Sequence, residues 1–335
     1  MLAIAISAGL CTKTKEAIAS SFWDTPASEI TPSLDYYFKY YVKQCELIAL
    51  HEGGSHTSLV EQKDITEIVA LLRAHHTRDD IRKKIARLTS VSTSNGTQDY
   101  SIDLAARLLL MIEVGNLPWA YSGFRQLEWD KGSLRDFITQ YFEETPVLGH
   151  DNIKLEKIFN ARRLGTIAGM EIIWTSNLAD HLRLMKDDKA VAVFHHASFL
   201  KRQQQDNSLL PQKLVDETLA TIALLFPKWD VDTRSWYKQE ASLRGLDPYL
   251  IEIGHLGADK RRFEGFHYWH DRLVVLKQVF DESRPRTLQQ WWNDRRNGVQ
   301  WYTFWVAFLV LLLTIFFGLV QSIEGALQVY KAFHP

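Results

Sequence analysis

The hydrophobic positions of the chain form one long uninterrupted run and several shorter periodic ones. From Trp301 to Val320 no residue is charged. About 20 residues of α-helix span about 30 Å, the thickness of the hydrocarbon layer of a bilayer. A buried helix of a soluble protein is usually shorter and carries polar positions. The run therefore predicts one transmembrane helix over 301–321, with the central core helix of a soluble protein as the alternative.

Aromatic and basic residues around this run predict how the helix sits in a membrane. Tryptophan and tyrosine favour the headgroup zone, and basic residues favour the cytosolic side. Both kinds precede the run. After it, Tyr330 stands at the opposite interface, and Lys331 is the one lysine or arginine. This asymmetry places the preceding body in the cytosol. The predicted membrane-interface residues are Trp291, Trp292, Arg295, Arg296, Trp301, Tyr302 and Trp305.

A short segment, 322–335, follows the predicted span as a tail. This layout is typical of a tail-anchored protein, held on an intracellular membrane with its C-terminus luminal or external. The alternative topology treats MLAIAISAGL, at the N-terminus, as a signal-peptide core, although no basic residue precedes it. The sequon Asn95-Gly96-Thr97 would be glycosylated only in that luminal topology.

Small residues recur at every fourth position along the span and its exit. This spacing places them on one helix face, where a second helix could approach closely. The sequence therefore predicts a helix-helix contact and a homo-oligomer formed through the membrane, with chance recurrence as the alternative. The residues are Thr314, Gly318, Ser322 and Ala326.

The shorter periodic runs predict a mainly α fold. Apolar residues at three- and four-residue spacing, preceded by capping residues, are typical of amphipathic helices. We divide the chain into an N-terminal helical subdomain over 1–88, a polar loop over 89–99 and a second helical subdomain over 100–283. A juxtamembrane segment over 284–300 then leads into the transmembrane helix. The second subdomain includes a segment predicted to be irregular, 229–250, and a final helix over 259–283.

The middle of the second subdomain has a different pattern. A short strand, a helical turn and two strand-like runs around 186–189 are predicted near 171–200. A helix followed by such a hairpin is typical of a small winged-helix-like unit. In a nearly neutral chain this unit would serve packing or protein contact rather than DNA recognition.

Charge and cysteine content exclude some classes of function. The formal net charge is -1, which provides no basic footprint for nucleic acid. Two cysteines, Cys11 and Cys45, fit a reduced cytosolic compartment. The chain carries no phosphate-binding loop, nucleophile elbow or HExxH motif. We therefore predict no cofactor, no metal and no catalytic residues, and lean against an enzyme.

Histidines are the remaining candidates for chemistry. Two Glu-x-x-His pairs, Glu252 with His255 and Glu264 with His267, lie too close in the chain to supply two facing helices of a di-iron site. His195 and His196 precede Ser198. The strand-like run AVAVFHH includes both histidines, so these adjacent residues are expected to face opposite sides and cannot share one ion. At most one of them could activate Ser198 as a nucleophile, and no acid or oxyanion hole is identified to complete such a site. Solvated or hydrogen-bonded histidines are the simpler interpretation.

Six stretches also carry a resemblance to a known group of proteins. They are SLVEQKDITEIVALL, SIDLAARLLLMI, WTSNLADHLRL, AVFHHASFL, YWHDRLVVLKQVFDES and QWWNDRRNGVQWYTFWV. Over nearly its whole length the chain resembles a family of uncharacterised filamentous-fungal proteins with a C-terminal membrane segment. The resemblance implies a fungal source and the same layout, and it implies no activity, substrate or catalytic residue.

The expected function follows from layout rather than from a motif. We expect a single-pass, tail-anchored protein whose body binds another protein as an adaptor or regulator. The alternative is a membrane-tethered enzyme or accessory factor acting on lipidic or secondary metabolites. An apolar pocket in which a histidine meets a carboxylate would favour that alternative.

Overall fold

The computed structural model describes residues 10–24, 34–51, 62–88, 95–115, 125–143, 145–149, 153–204, 209–283, 290, 292, 294 and 298–334. This part is mainly helical, as predicted, with a small sheet in its middle. The α-helices are α1 Thr12–Trp23, α2 Asp35–His51, α3 Gln62–Arg73, α4 Arg78–Leu88, α5 Asn95–Leu110, α6 Leu134–Phe142, α7 Ala161–Thr166, α8 Ala197–Gln203, α9 Gln212–Leu225, α10 Val231–Arg244, α11 His270–Glu282 and α12 Gly298–Phe333. Short 3-10 turns cover Leu178–Asp180, Pro248–Glu252 and Phe263–Gly265.

The sheet has three strands, β1 Glu171–Thr175, β2 Leu184–Met185 and β3 Ala190–Phe194, in the order β1-β3-β2. β1 pairs with β3 in parallel, and β2 pairs with β3 antiparallel. The predicted strand, turn and hairpin are confirmed. All five residues of β3 are fully buried, so this strand is the centre of the body. The winged-helix comparison stays a prediction.

One hydrophobic core crosses the predicted boundary between the two subdomains. The Tyr37 hydroxyl on α2 donates a hydrogen bond to the carbonyl oxygen of Leu108 on α5, at 2.8 Å. The Trp23 ring on α1 packs edge-on against Phe199 on α8, with centroids 6.3 Å apart. The buried residues of all these helices belong to a single cluster. The N-terminal helices are thus packed onto the helix that follows the sheet.

A buried ion pair joins α4 to α5. Arg78 Nη1 lies 2.5 Å from Asp103 Oδ1, and these residues are only 4% and 6% exposed. The Arg78 guanidinium also lies over the Trp129 ring, 5.0 Å from its centroid. Gly115 has φ +91°, and a Cβ there would stand 2.2 Å from Asp103 Oδ2. Only glycine fits this position, because the backbone passes directly over the carboxylate.

A buried hydrogen-bond chain fixes the tautomer of His181. His181 Nδ1 accepts the Phe194 backbone N–H at 3.2 Å, so Nε2 carries the proton and donates to Thr221 Oγ1 at 2.7 Å. The Thr221 hydroxyl in turn donates to the carbonyl oxygen of Thr218. Trp269 Nε1 donates to Thr218 Oγ1 at 2.9 Å. This chain ties β3, α9 and the start of α11 together.

Three sequence-based predictions differ from the structure. Helix α5 begins at Asn95, inside the segment 89–99 predicted as a loop, and residues 89–94 lie outside the described part. Helix α10 lies in the segment 229–250 predicted to be irregular, and it ends at Gly245, which adopts φ +66°. The last helix of the body begins at His270 rather than near 259, because the backbone before it bonds to a side chain of α9.

That side chain is the carboxylate of Glu217. Its oxygens accept the backbone N–H groups of His267 and Trp269, each at 2.7 Å. Helical residues at these positions would need their N–H groups for bonds to carbonyl oxygens four residues earlier. The segment before α11 therefore stays irregular and lies against α9.

Candidate functional site

Helix α12 is the one described helix long and apolar enough to cross a membrane. Its candidate span is Trp301–Phe333, with a mean hydropathy of 2.6 over 18 residues and none of that window buried in the body. The alternative prediction, a central core helix of a soluble protein, does not describe α12, because its apolar side chains are exposed. By length and composition α12 is compatible with a membrane anchor. The helix also continues past the predicted end at 321, through Glu324 to Phe333.

Three tryptophans meet at the N-terminal end of α12. The Trp292 ring packs edge-on against Trp305, with centroids 4.9 Å apart, and lies 6.3 Å from Trp301. Trp301 Nε1 donates to the carbonyl oxygen of Trp292 at 3.4 Å. Tyr302 stands beside them and is 68% exposed. The other predicted interface residues, Trp291, Arg295 and Arg296, lie outside the described part.

The predicted small-residue row is exposed along α12. Thr314 Oγ1 donates to the carbonyl oxygen of Val310, and Ser322 Oγ donates to that of Gly318, each at 2.8 Å within the helix. Their hydroxyls therefore need no partner helix for hydrogen bonding. Gly318 and Ala326, which lie on the same face, are exposed and add no bulky side chain. Self-association through this row stays a prediction.

Polar side chains collect at the carboxyl ends of the parallel strands β1 and β3. Because these ends share one sheet edge, Ser176 after β1 meets His196 after β3, with Ser176 Oγ 2.9 Å from His196 Nε2. The rings of His195 and His196 lie 3.9 Å apart. The expectation that they face opposite sides is wrong, because β3 ends at Phe194 and the chain turns into α8.

Burial keeps these histidines neutral. It lowers the pKa of His195 to about 3, and it lowers the pKa of His196 well below the usual value, with the His195 ring as a second cause. His196 Nδ1 is buried without a hydrogen-bond partner, so no carboxylate orients the ring as a catalytic triad requires. The pair therefore has the geometry of a core contact.

Asp247 occupies the position next to Ser198. Its Oδ2 accepts the Ser198 backbone N–H at 2.7 Å and the Ser198 hydroxyl, while Oδ1 accepts the Tyr249 N–H at 3.0 Å. Burial raises the pKa of Asp247, although the bonds from Ser198 oppose this. The Ser198 hydroxyl donates to the carboxylate rather than to a histidine. Asp247 thus joins α8 to the turn Pro248–Glu252.

Metal ligation has little support in the described residues. Among them no group of three or more histidine, cysteine, aspartate or glutamate side chains could hold an ion. Glu252 is bonded instead to Lys228, with Lys228 Nζ 2.8 Å from Glu252 Oε2. His267 donates its backbone N–H to the carboxylate of Glu217. The two Glu-x-x-His pairs are therefore not brought together.

A surface groove of about 1220 Å³ lies between α2 and α10. Phe38, Val42 and Ile251 contribute apolar side chains to its lining. No local sequence pattern predicts this groove, because its sides come from segments separated by about 200 residues. Four lysines also line it, Lys15, Lys39, Lys43 and Lys238, with the acidic residues Asp35, Glu46 and Glu252.

Two of those acids are already paired. Asp35 binds Lys15, with Lys15 Nζ 2.6 Å from Asp35 Oδ1, and Glu252 binds Lys228 outside the groove. Lys39 lies over the Tyr36 ring, 4.6 Å from the centroid. In the described part of the chain no ion pair involves Lys39, Lys43 or Lys238. The groove therefore presents an excess of unpaired positive charge beside an apolar bed.

Comparisons with protein-family models, with curated proteins and with solved structures find no match to this chain. The resemblance to fungal proteins accordingly stays a prediction. A function for this chain has to be proposed from its own sequence and structure.

Proposed function

We propose that the chain is a single-pass, tail-anchored protein of an intracellular membrane, whose helical body lies in the cytosol and binds another protein as an adaptor or regulator. The observation that carries the proposal is α12, an apolar helix of 36 residues with its side chains exposed. Exposed leucine, valine and phenylalanine over this length are stable in hydrocarbon and unfavourable in water.

Deletion of residues 297–335 tests the anchor. The full chain should sediment with membranes and resist extraction at alkaline pH, whereas the truncated chain should be soluble. The truncated body should still unfold cooperatively, which is checked by its tryptophan fluorescence in urea. A truncated, folded body that still sediments with membranes would contradict the anchor.

Glycosylation at Asn95 tests the direction of insertion. With a cytosolic body, glycosidase treatment should leave the electrophoretic mobility of the full chain unchanged. A variant with an engineered sequon added after Pro335 should be glycosylated, since the C-terminus is then luminal. A mobility shift of the full chain that an Asn95→Gln variant abolishes would overturn the cytosolic orientation.

For the adaptor role we propose the groove between α2 and α10 as the binding face. An amphipathic helix would lay its apolar side on Leu10, Val42 and Tyr249, which line the groove and are partly exposed. Unpaired lysines at the groove favour acidic residues flanking that side, since complementary charge speeds association and excludes wrong partners. The partner expected is therefore an acidic amphipathic helix.

Charge reversal at the groove tests this face. Proximity labelling in living cells should give a set of proteins that the Lys39→Glu/Lys43→Glu variant loses and the Lys213→Glu variant keeps. Lys213 is exposed on α9 and does not line the groove. A label set unchanged by the groove variant would contradict the proposed binding face.

A further inference from the structure

A second, smaller cavity lies between the segment after α6 and the start of α11. Its volume is about 370 Å³. Its lining includes two arginines, one histidine and several aromatic side chains from four separate stretches of chain. These arginine, histidine and aromatic lining residues include Arg125, Tyr141, His267, Tyr268, Trp269 and Arg272. Two arginines in one small cavity require an explanation, because like charges repel.

Neither arginine forms an ion pair with an acidic side chain within the described ranges. Arg272 Nη1 donates to two backbone carbonyl oxygens, those of Ala179 and His181, at 2.8 and 2.6 Å. Arg125 bonds through its backbone N–H to Asp180, at 3.1 Å. Burial lowers the pKa of Arg272, and the charge of Arg125 lowers it further. The two guanidinium groups therefore lie within electrostatic reach of each other.

The nearby acids are already occupied. Asp271 accepts the backbone N–H groups of Val147 and Leu148, at 3.0 and 3.2 Å. Asp180 is fully buried, and Arg183 Nη1 lies 3.1 Å from its Oδ1. Arg183 balances the charge of Asp180, so the described lining of the cavity holds two arginines against one carboxylate, that of Asp271, and its net charge is positive.

Both guanidinium groups are held in place by aromatic rings. Arg272 lies over Trp269, 5.0 Å from the ring centroid, and Arg125 lies over Tyr141, at 5.5 Å. Trp269 is fixed in turn by its bonds to Glu217 and Thr218. Arginines that are held before a ligand arrives lose less conformational entropy on binding. This arrangement is that of a preformed binding site.

We propose that this cavity binds a phosphate monoester through Arg125 and Arg272, with the attached group resting on the aromatic wall. A phosphate monoester carries a charge of about -2 near neutral pH and offers three acceptor oxygens, so one ligand can accept N–H bonds from both guanidinium groups at once. The ester can belong to a soluble metabolite or to a phospholipid head group, and the site does not depend on the adaptor role.

Titration of the purified full chain with phenyl phosphate tests the site. In phosphatidylcholine nanodiscs, phenyl phosphate should bind saturably and phenol, which lacks the phosphate, should not. Arg125→Gln should weaken binding at least tenfold, and Arg125→Lys should weaken it less. Arg135→Gln on α6 is the matched control, because Arg135 is exposed and does not line the cavity.

Arg125 is the residue of choice because its backbone N–H, not its side chain, bonds to Asp180. Its replacement should leave the thermal unfolding midpoint of the ligand-free protein unchanged. Nanodiscs that contain phosphatidic acid then identify the source of the ester. Competition with phenyl phosphate indicates a lipid head group, whereas unaltered binding indicates a soluble ligand.

Two results would overturn the proposal. One is the absence of saturable phenyl phosphate binding in the wild type together with no effect of phosphatidic acid. The other is Arg125→Gln binding phenyl phosphate as tightly as Arg135→Gln does.

Discussion

Replacing Arg78 by methionine should lower the free energy of unfolding by about 3–5 kcal/mol. The change leaves Asp103 as a buried charge without its 2.5 Å partner, and with an exposure of only 6% the residue is poorly solvated by water. Removing one half of a buried pair is strongly destabilising for this reason. Urea unfolding of the full chain in detergent, followed by tryptophan fluorescence, measures the loss.

A double variant separates charge from packing. Arg78→Met combined with Asp103→Ala removes both charges, so it should be more stable than Arg78→Met alone. Lys186→Met is the exposed control, since Lys186 and Glu171 are 57% and 58% exposed in their side chains. That surface pair should contribute at most about 1 kcal/mol. Equal losses for Arg78→Met and Lys186→Met would contradict a buried-charge penalty.

Acidification should destabilise the body through its buried histidines. Burial lowers the pKa of His181 to about 3, and protonation of Nδ1 would remove the acceptor for the Phe194 N–H. The unfolded chain takes up this proton near pH 6.5. The unfolded state therefore binds more protons between pH 6.5 and about 3, and stability falls as pH falls. The loss from His181 is about 1 kcal/mol between pH 6.5 and 5.5.

Other buried groups also contribute to the pH dependence of the unfolding free energy. His195 adds a loss of the same sign, since burial lowers its pKa to about 3. Burial raises the pKa of Glu217 and Asp247. In these carboxyl groups the native state keeps its proton to higher pH than the unfolded state, so their contribution to stability falls as pH rises. Their effect opposes that of the histidines.

A glutamine variant isolates the contribution of His181. Glutamine offers a donor and an acceptor without titrating in this range, so His181→Gln should reduce the pH dependence of the unfolding free energy between pH 6.5 and 4.5. The exposed His255→Gln variant is its control and should retain the wild-type slope. An identical slope for His181→Gln and the wild type would show that His181 is not kept neutral in the fold.

Local patterns predicted the sheet and most helices well. The two strand-like runs predicted around 186–189 are β2 and β3 with their hairpin, and Ser133 caps α6 by accepting the Asp136 backbone N–H. The parallel pairing of β1 with β3 was not predictable from either strand alone. Helix α10 was missed because only Thr233, Tyr237 and Ala241 of its residues are buried, which leaves no strong apolar stripe in its sequence.

The cavity and the groove were beyond prediction for a different reason. Arg125, Tyr141 and Arg272 come together only through the packing of α6 against α11, and no short motif contains them. The helix start predicted near 259 was wrong because Glu217, about 50 residues earlier, binds the backbone of His267 and Trp269. Such long-range bonds from a single carboxylate leave no periodic pattern in the sequence. The apolar run of α12 needed no tertiary partner, and its composition alone predicted it.

The position of Phe280 has a consequence for the order of events during synthesis. Phe280 is the last residue of the hydrophobic core among those that the structure describes, and α12 begins only at Gly298. A ribosome adding 5–20 residues per second covers this interval in roughly 1–4 s. All the described core residues are therefore polymerised before the first turn of α12. Folding of the described core does not have to wait for the synthesis of this exposed apolar helix.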